Sequence, residues 1–116
     1  MTDPAILDLV RLREIYEDDR DGIADVLELA LETTRRQLTI ISSAVDDRNA
    51  AAVQAAAHAI KGAALNVGAE ETAKHAAELE RDASAARWDV IPRSLAVLRE
   101  GFARFEEAVL RFKREG

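Results

Sequence analysis

Apolar residues recur along this chain at intervals of three and four, the spacing that gathers side chains on one face of an α-helix. In the first segment Ile6, Leu9 and Val10, then Leu12 or Arg13, follow this rhythm. Asp3-Pro4 ahead of them reads as an N-cap with proline at the first helical position, predicting a short helix toward Tyr16. The polar stretch Glu17 to Asp21 breaks it. A second helix is predicted from about Asp21 to Val45, with Ile23, Val26, Leu27, Ala30, Leu31, Leu38, Ile41 and Val45 as its stripe. Asp46-Asp47-Arg48-Asn49 is a turn that also caps a third helix, which extends to about Val67 and stops at Gly68. A fourth helix starts near Ala69, with Glu70 and Glu71 complementing its dipole, and fades around Ala86. Asp89, with Pro92 in the first turn, opens the last helix to about Lys113. Its stripe is Ile91, Leu95, Leu98, Phe102, Phe105, Val109 and Phe112.

Four long helices on short connections predict an all-α fold, an antiparallel up-down-up-down four-helix bundle with a short extra N-terminal helix. No repeat, low-complexity tract or linker interrupts it, so residues 1–116 are expected to form a single domain.

Composition narrows the function. Apolar residues make up 48% of the chain, much of it alanine, with few aromatics, which suits closely packed helices. The absence of cysteine excludes a disulfide scaffold, a zinc–thiolate site and a thiol nucleophile. A net charge of −6 argues against a general nucleic-acid binder. The N-terminus lacks the pattern of a signal peptide, and no apolar run approaches the roughly 20 residues that span a bilayer. A soluble cytoplasmic protein, off the membrane and monomeric, is expected.

The candidate chemistry lies on the third helix. At about 100° per residue, Ile60 and Ala56 lie roughly 160° around from His58, Val53 and Ala63 roughly 140°, and Val67 about opposite. Those apolar residues must face the bundle, so His58 faces outward. Gln54 and Ala55 precede it on the same stripe, and Lys61, Gly62 and Leu65 follow. Lys61 can set its ammonium beside the ring. Gly62 removes a side chain one turn away, at a cost of about 1 kcal/mol relative to alanine in a helix interior, and leaves room for another molecule to approach. From these residues alone the competing readings are a surface histidine, a solvated lysine and a glycine that allows tight helix packing.

The run His58-Ala59-Ile60-Lys61-Gly62-Ala63-Ala64-Leu65-Asn66-Val67-Gly68-Ala69 resembles the signature of histidine-containing phosphotransfer (HPt) domains: His, two residues, Lys-Gly, small residues, then Gly-Ala. The likeness continues through the small residues from Ala73 to Ala77 to the closing Leu79-Glu80. Ile60 stands where leucine is usual and keeps the apolar role. The resemblance implies a phosphocarrier of two-component phosphorelays, with His58 passing a phosphoryl group to or from an aspartate of a receiver domain. It implies phosphorylation on Nε2, with Glu80 reaching Nδ1 from the fourth helix, where many relatives carry Gln. By spacing alone an ordinary surface carboxylate is the alternative reading of Glu80. Lys61 would offset charge on the transferring group, while Gly62, Gln54 and Leu65 would meet the partner.

No autonomous kinase activity is implied, because the chain lacks a glycine-rich phosphate loop. No cofactor and no metal are expected on this chain; Mg²⁺ would come with the receiver. The partners implied are a response-regulator receiver domain, a sensor histidine kinase, or both. Ile6, Leu7 and Val10 of the first helix, with exposed parts of the second, are a candidate docking surface flanking His58, with capping of the core as their competing role. His75 is expected to be a bystander. The alternatives are a helical adaptor without covalent chemistry and the phosphoacceptor domain of a larger histidine kinase.

Overall fold

The computed structural model describes residues 2–115, and their elements are α1 (Leu9–Ile15), α2 (Arg20–Asp46), α3 (Ala50–Asn66), α4 (Glu70–Ser84) and α5 (Ile91–Arg114). Among the described residues there is no strand. α2 has 27 residues and so runs about 40 Å, close to the longest dimension of the molecule, 43 Å. Three residues link α2 to α3 and three link α3 to α4, a reach of at most about 14 Å, and the six between α4 and α5 also fall short of a helix length. Successive long helices therefore run antiparallel. α3 packs on α2 and α4, and α5 packs on α4 and closes the bundle against α2.

Most of what the spacing announced is buried, with one insertion; Val26 and Val45 of α2 pack half-buried against the core, and Val10 of α1 is 67% exposed. In α2 the interval between Leu31 and Leu38 is filled by Thr34, buried despite its hydroxyl. In α5 every residue of the predicted stripe is buried except Leu95, which packs half-buried against the core. The fourth side of the bundle, between α2 and α5, is held largely by charge. Lys113 Nζ lies 2.5 Å from Glu28, Arg35 donates to Glu106 at 2.9 Å, and Arg20 stacks on Phe112 4.3 Å from the ring centroid. Among the described residues no helix is long and apolar enough to cross a membrane.

The N-terminal helix departs from the expectation. Asp3 does cap a turn, accepting from the Ala5 N–H at 2.9 Å, but that turn ends at once. Asp8 then caps α1 afresh, accepting from the Arg11 N–H at 3.1 Å. A short acidic side chain competes with the helix ladder for backbone N–H groups, and here Asp8 starts a second helix where one continuous helix was expected. The break turns Leu7 inward, 1% exposed, so its role is to cap the core rather than to dock a partner. At the other end of the chain, α5 starts at Ile91 with Val90 as its N-cap and no capping side chain, so Asp89 does not serve as the cap.

Three helices end in the same way. After α3, the Gly68 N–H donates to Leu65 O and the Ala69 N–H to Ala64 O at 2.9 Å, with Gly68 at φ +71°. This is the Schellman closure, which needs a left-handed residue just past the helix. α2 and α4 repeat it with Arg48 and Ala86 in the left-handed position, at φ 50° and 52°, while α1 keeps only the bond from the Asp18 N–H to Arg13 O, with Glu17 and Asp18 both left-handed at φ 51° and 61°. Only Gly68 is free of the Cβ penalty. A Cβ there would also stand 3.1 Å from Asp8 Cβ, where the N-terminal segment seals the α3–α4 turn. Gly68→Ala should therefore destabilise the fold by about 1–2 kcal/mol, and Ala86→Gly should stabilise it by about 0.5–1 kcal/mol. Urea denaturation reads both; equal midpoints for the two variants would refute the account.

A carboxylate clamp between two helices

α3 buries Val53, Ala56, Ala57, Ile60 and Ala64, while the opposite face carries His58, with a side chain 67% exposed. Gly62 is exposed beside it, and a Cβ built there would meet nothing within 4 Å. Gly62 is thus not held by helix packing; the space next to the ring is open. Leu65 is 49% exposed one turn further along, and Gln54 is half-buried on the α4 side.

Glu80 comes to this face from α4. Its Oε2 lies 2.8 Å from His58 Nδ1, and its Oε1 accepts from Lys61 Nζ at 2.7 Å. One carboxylate therefore joins two residues three apart on α3 to a third on α4. The Lys61 ammonium holds the Glu80 carboxyl below the usual glutamate value; partial burial opposes this, and the hydrogen bond with His58 adds to the lowering. An ionised carboxylate can only accept, so the proton between Glu80 and His58 belongs to Nδ1. In the neutral ring this leaves the Nε2 lone pair free, on the edge turned away from Glu80. Among the described residues no three His, Cys, Asp or Glu side chains form a metal-holding group.

The sequence model of the Hpt domain matches residues 25–108, which contain the whole clamp. The chain belongs to the Hpt-domain family. Its work is histidine phosphotransfer within two-component phosphorelays. The fold is similar to the crystal structure of histidine-containing phosphotransfer protein B (HptB) from Pseudomonas aeruginosa PAO1, at a TM-score of 0.80 and 26% identity. That likeness covers 95% of this chain and 93% of the other. No curated protein matches the sequence.

Two grooves flank the histidine of this Hpt domain. On the α2 side, Val26, Leu29, Thr33, Ala59, Ala63 and Asn66 border an uncharged groove of about 270 Å³. On the α4 side lies a second groove of about 550 Å³, lined by Gln54, Lys61, Arg81, Ser84 and Arg87. Leu29, 60% exposed, belongs to the second helix, whose exposed parts were expected beside His58, whereas the two arginines escaped the sequence reading because each reaches the site from a neighbouring element. The adjacency of Arg81 to Glu80 was the single local signal. Ile6 and Val10 do not reach this face: their segment covers the end of the bundle at the α3–α4 turn, where Ala5 O accepts from the Glu71 N–H at 2.8 Å. His75 turns toward α5, and a Cβ on Gly101 would stand 3.0 Å from its Cδ2.

The lowered Glu80 value carries a sign. A carboxyl depressed in the folded state contributes stability at pH above its unfolded value, and this is lost as pH falls through the folded one. Lys61→Ala removes the largest cause of the depression, so the Glu80 carboxyl should titrate at higher pH, read from its side-chain ¹³C shift. An unchanged midpoint would mean that the ion pair does not form in solution.

Proposed function

We propose that His58 carries the phosphoryl group, with Glu80 and Lys61 as its supports. The observation that carries this reading is the 2.8 Å contact from Nδ1 to an ionised carboxylate, which leaves Nε2 as the free nucleophile. In the forward step the Nε2 lone pair attacks the phosphorus of a receiver's aspartyl phosphate. The N–P bond forms as the P–O bond to the aspartate breaks, and the aspartate leaves with the electron pair as a carboxylate. The ring then bears positive charge, with the Nδ1 proton still in place. Glu80 stabilises that charge, as an orienting acid does for a catalytic imidazole. Lys61 keeps Glu80 ionised and adds positive charge beside the incoming group. The reverse step retraces the same path and returns the group to a receiver aspartate.

The acceptor carboxylate and the Mg²⁺ of the reaction belong to the receiver. Gly62 leaves its rim free access to the ring, with Gln54 and Leu65 at the edges of the contact. The same reading makes the whole chain one cytoplasmic, monomeric carrier that serves receivers or a kinase through a single exposed face. It assigns no role to nucleic acid or membrane.

Incubation with a phosphorylated receiver domain and Mg²⁺ should give wild-type protein an acid-labile, base-stable label that His58→Gln lacks. Equal labelling of the variant would remove His58 from the chemistry. Lys61→Ala should slow transfer about tenfold with the fold intact, less than the loss of a fully buried electrostatic donor, because Lys61 is partly solvated. Gly62→Ala should raise stability by about 0.5–1 kcal/mol, since its Cβ enters open space. Gly62→Gln should slow transfer from the receiver while leaving phosphorylation by phosphoramidate, a small donor, unchanged. If receiver transfer survived that substitution at the wild-type rate, close approach over Gly62 would be wrong.

A further inference from the structure

The wall of the site on the α4 side carries more charge than the transfer chemistry uses. Its lining includes three cations, Lys61, Arg81 and Arg87, against one carboxylate, Glu80. The chain as a whole has a net charge of −6, so the groove has the opposite sign to the molecule around it. Lys61 is engaged by Glu80 at 2.7 Å. Arg87 stands 3.6 Å from Asp82, which also accepts from Ser94 Oγ at 2.5 Å. Arg81 is exposed and takes no part in the ion pairs or side-chain hydrogen bonds found among the described residues. Its place in the last turn of α4 complements the helix dipole, which would account for a basic residue there but not for its setting. The setting is a groove directly beside the Glu80 clamp, shared with Gln54 and Ser84, two uncharged hydrogen-bonding side chains.

The opposite wall has no charged side chain. A molecule seated over His58 thus meets an uncharged, partly apolar groove on one side and a cationic groove on the other. Of the two opposed ways to turn a partner about the axis from His58 to the incoming phosphorus, one matches both walls. An acidic partner is repelled at long range by the net charge. At contact, within a Debye length of about 8 Å at physiological ionic strength, the local cations take over.

We infer that the α4-side groove selects and orients the receiver, with Arg81 pairing with an acidic side chain at the rim of the receiver's active site, outside its Mg²⁺ site. This rests on His58 being the carrier. Arg81 touches the partner away from the reacting atoms, so it sets specificity and leaves the chemical step alone. Charge at the rim of an interface acts on encounter and on salt dependence.

The test uses one receiver domain that transfers to the wild-type chain, phosphorylated with acetyl phosphate in Mg²⁺, and a copy in which acidic side chains at the rim of its active site, outside its Mg²⁺ site, are replaced by Asn. Arg81→Glu should raise KM for the acidic receiver about tenfold with kcat within about twofold. Arg81→Lys should keep wild-type values. The KM effect should shrink in about 0.5 M salt and vanish with the Asn-substituted receiver. An unchanged KM for Arg81→Glu, or an equal rise against both receivers, would overturn the inference. A purely structural role at the helix end would show as that equal rise. Phosphoramidate should label wild type and Arg81→Glu at the same rate. Failure to label wild type would instead overturn the assignment of His58, and the inference with it.

Discussion

The contact between Glu80 and His58 exists because α3 and α4 lie close together, and they lie close because the seam between them is lined by alanine. Ala56, Ala57 and Ala64 of α3 and Ala73, Ala76 and Ala83 of α4 are all buried. Helix axes separate by about 8–10 Å according to the side chains between them, and methyl groups set the short end of that range. A glutamate has few bonds with which to reach across. With leucines in the seam, Glu80 would fall short of Nδ1, and the tautomer of His58 would be left to solvent. The packing of the core and the protonation of the ring are in this sense one constraint.

That constraint gives the clamp its economy. Glu80 is 20% exposed, enough to stay ionised with Lys61 beside it and shielded enough to hold a defined position. His58 is far more exposed, as a residue must be if another protein's active site is to close over it. The rigid partner lies half inside the bundle and the reactive group outside it. Function at the surface is thus positioned by a neighbour anchored in the fold, the arrangement that keeps a catalytic imidazole in register in sites of other architectures. The two walls on either side extend the division: the bundle presents an uncharged groove toward α2 and a charged one toward α4, with the ring between them.

Much of this was legible in the residues. The outward aspect of His58 followed from helical spacing against Val53, Ile60 and Val67, which are buried. The open space at Gly62 was readable as a missing side chain on the same stripe. The stops at Asn49 and Gly68 were also visible, because a side-chain cap and a left-handed glycine are local devices. The ends at Glu17, Arg48 and Ala86 were also placed, but not the backbone they take there. These adopt the left-handed conformation without glycine, since the tertiary path of the chain demands the turn and outweighs the penalty. Leu7 caps the core, one of the two roles its apolar character offered, but nothing in the spacing of the apolar residues reveals that one turn ends and Asp8 starts a new helix.

The sequence by itself determined the four long helices, the face each buries, and the exposure of His58 with Lys61 and Gly62 on its stripe. These are properties of a single helix, set by a period of 3.6 residues and by short-range capping. Only the tertiary structure decided that Glu80, 22 residues away, closes on Nδ1 and that Arg81 and Arg87 gather in one groove beside it. Those relations join separate elements. They depend on the distance and rotation between helices, which side-chain packing along the whole seam sets and no local pattern encodes.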